Sequence, residues 1–339
     1  MKRCVVLLLL SLIAHAAGHL YGLAMVRNGP SEVALTKVSD SGNATIVGPP
    51  LMVTDAMGDL TAVDVKSRVL YYLGDTVQGA TLVGVSLDDG REQCRGLVPI
   101  HEIGYVGIGQ SLDWDENDQS LVVTGLWSNT TTHVVLRNKG CIGGRLSAND
   151  IIGSFGDGNY LPMNHASALD SAGQRLFLSV ALNKTVSGIG IVDLKKLSMK
   201  VIPEDSSQHI MAGMQWDPVG KRLLGIAPTL SNTPNLFVRT LELTAEGAPV
   251  WKDVVVPHQP YQWLYGNSGT VSAFDPQNGF LYILAAKVPS MKPGKAPSMP
   301  PMHLIKIDVH SGRVVASPPT SGLPMGVNTL DELNFVAGA

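Results

Sequence analysis

Five stretches of the chain repeat one pattern: a short apolar run closed by Asp, a polar turn, then a longer apolar run. Leu60-Thr-Ala-Val-Asp64 precedes Arg68-Val-Leu-Tyr-Tyr-Leu73, and Leu112-Asp-Trp-Asp115 precedes Ser120-Leu-Val-Val-Thr124. Ser167-Ala-Leu-Asp170 precedes Arg175-Leu-Phe-Leu-Ser179, and Met214-Gln-Trp-Asp217 precedes Arg222-Leu-Leu-Gly-Ile226. Ser272-Ala-Phe-Asp275 precedes Phe280-Leu-Tyr-Ile-Leu284. A third apolar run follows in several units, as from Gly188 to Asp193 and from Met302 to Asp308, and a shorter fourth closes some of them, as in Arg313-Val-Val-Ala316. Each unit thus predicts about four strands joined by hairpin turns, one antiparallel blade. The second run is almost continuous in Leu, Val and Ile, the pattern of a strand packed on both faces.

Units spaced by roughly 40–50 residues mark a radial β architecture. The ends complete it. Thr329-Leu-Asp-Glu-Leu-Asn-Phe-Val336 matches an innermost strand without a partner after it, and His19-Leu-Tyr-Gly-Leu-Ala-Met25 matches a second strand without an innermost strand before it. Pairing the two closes the ring and removes the edges an open sheet would carry. The predicted fold is all-β, a six-bladed β-propeller, with seven blades if the stretch before Thr270 holds a degenerate unit.

These Asp-turn-apolar signatures resemble six-bladed β-propellers of the secreted sugar-lactonase and NHL/TolB-like kind, over essentially all of residues 19–339. The resemblance implies an architecture and no single activity, because the fold hosts hydrolases, lyases, receptors and scaffolds alike. It also implies a ligand or metal on the axis, held near the start of the innermost strands. Five residues before each aligned Asp stand Asp59, Gln110, His165, Ala212 and Thr270, with Asp331 from the closing blade. A tier three residues earlier holds His209, Asn267 and Asn328. Two carboxylates converging on an axis repel unless a cation or a shared proton intervenes. Asp59, Asp331, His165 and His209 are therefore the candidate ligands for Ca²⁺ or Zn²⁺, and Gln110, Asn267 and Asn328 the candidate channel residues. The alternative is a polar, water-filled channel mouth. Lactonase-like enzymes also use an early Glu, and no Glu stands at an equivalent position here.

Composition adds a compartment. Lys2 and Arg3, the apolar run Val5 to Ala14 and the small residues after it have the layout of a secretory signal peptide, expected over residues 1–18. Residues 19–339 are then expected to form one propeller domain, without membrane insertion because no later apolar run is long enough to span a bilayer. Cys4 leaves with the signal, so Cys94 and Cys141 remain; in an oxidising compartment the pair is most simply one disulfide, the alternative being two buried thiols. Asn43-Ala-Thr45, Asn129-Thr-Thr131 and Asn183-Lys-Thr185 are glycosylation sequons. The net charge of −3 is spread in mixed sign with no basic block, which argues against nucleic acid as a partner.

Asp113-Trp-Asp115-Glu-Asn117 looks like the opening of a calcium loop, but Asp118 stands where such a loop needs Gly, and an acidic hairpin accounts for it. Gly266-Asn-Ser268-Gly lacks the base and orienting acid of a serine nucleophile. The expected function is that of a secreted binding or scaffold glycoprotein of matrix type, with an extracellular protein or glycan as partner. The rival is a metal-dependent hydrolase or lyase with an axial cation.

Overall fold

A computed structural model of the chain describes residues 18–25, 32–52, 55–76, 79–101, 111–127, 133–155, 161–181, 187–204, 211–228, 236–256, 261–262, 272–287, 302–321 and 334–336. Their strands assemble into six antiparallel blades. The second blade orders Asp55–Asp64, Val69–Thr76, Gly79–Ser86 and Glu92–Leu97 from centre to rim. The third orders Ser111–Asp115, Ser120–Trp127, His133–Asn138 and Asn149–Phe155, and the fourth Leu161–Asp170, Arg175–Ala181, Ser187–Asp193 and Ser198–Pro203. The fifth runs Ala212–Asp217, Arg222–Pro228, Leu236–Leu243 and Pro249–Val256. In the sixth, Ser272–Asp275 pairs with Phe280–Lys287, which is followed by Met302–Asp308 and Val314–Ala316.

The first blade is the expected composite. Asn334–Val336 pairs antiparallel with His19–Met25, which continues to Glu32–Val38 and Ala44–Ile46. Adjacent innermost strands touch in cyclic order round to the start. The ring closes with six blades, and no degenerate seventh unit is found among the described residues.

Alternation along the second strands explains the packing. In Val69–Thr76, the side chains of Val69, Tyr71 and Leu73 pack toward the third blade, while Leu70 and Tyr72 pack toward the first. Period two with both faces apolar leaves no solvent side, so each blade is glued to two neighbours. Among the described residues the hydrophobic clusters number six, one per blade interface, including one between the sixth and first blades built on Leu20, Tyr282 and Leu304.

The repeated Asp residues hold the turns. Asp64, Asp115, Asp170, Asp217 and Asp275 are all buried. In each, Oδ1 accepts a backbone N–H of its own turn, for instance Gly220 N–H at 2.8 Å to Asp217 and Gly173 N–H at 2.9 Å to Asp170. The fourth residue after each Asp takes a positive φ: Arg68 at 56°, Gln119 at 50°, Gln174 at 53°, Lys221 at 51° and Gly279 at 68°. Only the last is a glycine, so the carboxylate bonds hold four other residues in a conformation that costs L-residues about 1–2 kcal/mol. The second carboxylate oxygen is also engaged, by Arg222 Nε at 3.0 Å on Asp217 and by Arg175 Nε at 3.0 Å on Asp170. Asp115 Oδ2 accepts from Arg137 and from Gln174 of the next blade, both at 2.8 Å.

Cys94 and Cys141 form a disulfide. It fastens a small hairpin, Cys141–Ile142 with Arg145–Leu146, from the third blade onto the outer strand of the second. A Cβ at Gly84 would run into the Cys141 sulfur, so the clasp needs a glycine beneath it. The Tyr71 hydroxyl accepts the Cys141 backbone N–H at 3.0 Å.

Candidate functional site

The innermost strands run toward their Asp turns, and at that end of the axis lies a cavity of about 760 Å³. Five blades contribute to its wall, from Thr61 on the second through Asp113, Ser167 and Gln215 to Phe274 on the sixth. Trp114 and Trp216 are half-buried in it, each with one ring face stacked on a neighbour: Trp114 on Tyr71 at 6.0 Å and Trp216 on Phe177 at 5.3 Å. Arg175 and Lys221 also reach the wall, but the Arg175 charge is already committed to Asp170.

Asp113 is the chemically distinct member. It stands two residues before Asp115, at the position that holds Ala62, Ala168, Gln215 and Ala273 in the other units. This position meets the third residue before the Asp of the following blade. Ala62 packs with Leu112, and Ala168 packs with Met214. Where the first partner is polar, the second is serine: Asp113 Oδ2 accepts from Ser167 Oγ at 2.9 Å, and Gln215 Nε2 donates to the Ser272 carbonyl at 3.4 Å. Asp113 is half-buried on the wall of the cavity. Burial there, opposed by the Ser167 hydroxyl, pushes its carboxyl up to about 7. Glu116 on the same wall is also raised, by burial first and then by the Asp64 charge. Asp115, two residues along the same strand, goes the other way: burial alone would raise it, but bonds from Gln174 and Arg137 hold its carboxyl below the usual range.

Asp59 and His165 lie within innermost strands, where the ladders of the second and fourth blades each carry an irregularity, between Ala56 and Thr61 and between Pro162 and Ser167. The two backbones thus occupy equivalent places, while their side chains lie outside the described ones. Asp331, His209, Gln110, Asn267 and Asn328 lie outside the described residues, as do the sequons at Asn129 and Asn183. Asn43 is described and exposed, its Oδ1 accepting from Ser321 Oγ at 2.7 Å. The calcium-like stretch from Asp113 is the expected acidic hairpin, since Asp115 accepts the turn N–H groups of Asn117 at 3.1 Å and Asp118 at 3.4 Å.

Asp113 as a site residue was not singled out from the sequence, although a signal existed. Aligning the units on their Asp places an acid at a position that is Ala in three of the five.

No protein-family model matches the chain, and no curated protein matches it. Solved structures share its architecture. TolB from Acinetobacter baumannii aligns at 11% identity with a TM-score of 0.55, over 95% of this chain and 67% of that one. A putative 6-phosphogluconolactonase from Bacteroides fragilis aligns at 10% identity and 0.53, over 95% and 99%. A putative TolB from Agrobacterium tumefaciens aligns at 9% identity and 0.51, over 93% and 92%. At such identities the likeness bears on the fold alone, a β-propeller.

Proposed function

We propose that this propeller works by binding, as a secreted glycoprotein whose turn-side face and axial cavity receive an extracellular protein or glycan. The observation that carries the reading is the cavity itself, a shaped hollow of about 760 Å³. The repeated carboxylates are spent on turn N–H groups and, at Asp170 on the cavity wall and at Asp217, also on arginines, so they serve the scaffold. Mixed apolar and polar walls with a few fixed polar groups suit recognition. The disulfide supports an oxidising compartment for the mature chain. The test is binding of the purified mature protein to an array of extracellular glycans and to cell-surface proteins, with and without Ala172→Trp. Ala172 is exposed at the cavity mouth, so the indole occludes the hollow without entering the core. Retention of every interaction by this variant would remove the cavity from the reading.

A second reading, a hydrolase or lyase using an axial Ca²⁺ or Zn²⁺, is favoured by one observation. Asp59 and His165 fall in matching irregularities of two innermost strands, where a ring of ligands would be placed. Metal content after purification, with the melting temperature before and after EDTA, tests it. A tightly held ion whose removal lowers the melting temperature supports this reading, because a ligand bound only by the native state stabilises it.

A further inference from the structure

We propose that the axial cavity takes a small organic cation, an amine carried on an aromatic or alkyl body, with its ammonium seated against Asp113. This inference rests on the reading of the cavity as a binding site. Asp113 is part of the cavity wall, and its Oδ2 is held by Ser167 Oγ at 2.9 Å, whereas Oδ1 takes no protein hydrogen bond among the described residues. A carboxylate drawn partly out of water with no protein cation beside it favours a charged donor, and an ammonium supplies the charge and the donor together. The walls beside it suit the rest of such a ligand. Trp114 and Phe274 present aromatic surface from two blades, while the Trp216 ring already carries the Arg175 guanidinium at 5.6 Å, and aromatic faces attract cations as well as apolar bodies.

The surrounding charges agree in sign on the Asp113 side. Asp64 on the second blade and Glu116 on the third are acidic. On the fourth blade Arg175 is neutralised by Asp170, and on the fifth Lys221 is exposed at the rim. An anion would have to approach Asp113 and Glu116 together, which excludes a carboxylate or phosphate from that wall.

The experiment is titration calorimetry of the mature protein with three near-isosteres: phenethylamine, phenethyl alcohol and 3-phenylpropionate. The expected result is a Kd for the amine below about 1 mM, with the alcohol and the carboxylate at least about tenfold weaker. Asp113→Asn keeps the shape and removes the charge, and it is expected to weaken the amine at least about tenfold while leaving the alcohol unchanged. The amine stays protonated over pH 6–8, while a carboxyl titrating at about 7 goes from about one-tenth to about nine-tenths ionised, so affinity should rise about tenfold across that range in wild type and stay flat in D113N. Equal binding of amine and alcohol, or an amine affinity that D113N leaves unchanged, overturns the cation assignment. If Ala172→Trp then abolishes binding of the alcohol, the cavity remains a binding site and only its ligand class was wrong. Failure of all three probes overturns the proposal, and the partner array with Ala172→Trp decides separately whether the cavity reading falls with it.

Discussion

Asp113→Asn should make the protein more stable in alkaline solution, and the size of the gain follows from where the carboxyl sits. Its folded pKa is about 7 against an ordinary value of 3.8. Three units correspond to about 4 kcal/mol, at about 1.4 kcal/mol each, as a ceiling that water in the cavity lowers. The sign is set by protons. Between pH 4 and 7 the unfolded chain has lost this proton and the folded chain keeps it, so stability falls as pH rises through that window. Above about 7 both states are ionised and the loss is complete. Asparagine has no proton to lose. The assay is urea unfolding of wild type and D113N at pH 5 and pH 8.5. The stability of D113N relative to wild type should increase by about 3 kcal/mol between the two, two units of the shift lying in that interval. Glu204 is also raised by burial, opposed by bonds from Ser187 and Met211, and tilts the absolute curve the same way. It is present in both proteins and cancels in the difference. A pH dependence identical in the two proteins would refute the argument, because it would mean that Asp113 is as well solvated folded as unfolded.

Three further outcomes follow from the turns and the clasp. Lys221 is exposed at φ 51°, so Lys221→Gly should raise stability by about 0.5–1 kcal/mol in a urea titration, the strain relieved exceeding the added chain entropy. Asp115→Ala should cost about 1–3 kcal/mol by the same assay, since it leaves the turn N–H groups of Asn117 and Asp118 without their acceptor, while Arg137 keeps its ion pair to Asp118 at 2.8 Å. Replacing both Cys94 and Cys141 by Ala should lower the unfolding free energy by up to about 4 kcal/mol, from the chain entropy of a link spanning 47 residues. The reduced wild-type protein should match that double variant, and unequal midpoints would point to lost packing around Tyr71 rather than to the link.

The architecture was readable because two periodicities coincide. Alternation within Arg68 to Leu73 and its counterparts gives strands buried on both faces, and recurrence of the whole unit gives the ring. The composite blade was readable from two orphan strands, whose pairing needs no knowledge of side-chain contacts. The role of the repeated Asp was half legible: its place before a turn was evident, but not that Arg175 or Gln174 would take its second oxygen, since the donor can come from the adjacent strand of the same blade or from the next blade. The cavity was not legible at all. Its depth depends on how far the innermost strands stand from the axis, which no local pattern encodes. Asp113 was read as part of an acidic hairpin because it neighbours Asp115, yet the two side chains point to different surroundings, one to a turn and the other to the hollow.

The ring's closing joint has a kinetic consequence. Among the described residues, His19, Leu20 and Tyr21 meet Val336, Phe335 and Asn334 in three registered pairs. Around them, Lys306 reaches Asp40 at 3.1 Å, and Ala44 donates to the Ser321 carbonyl at 2.7 Å. All these contacts link residues far apart in sequence. Bringing the two ends together costs about 4 kcal/mol more chain entropy than closing a five-residue hairpin. The other interfaces join blades consecutive in the chain and can form as neighbours collapse. The seam between the first and sixth blades should therefore be the last interface to assemble and the first to part, and its amides should exchange with deuterium before those of the middle blades while the rest of the disc stays folded.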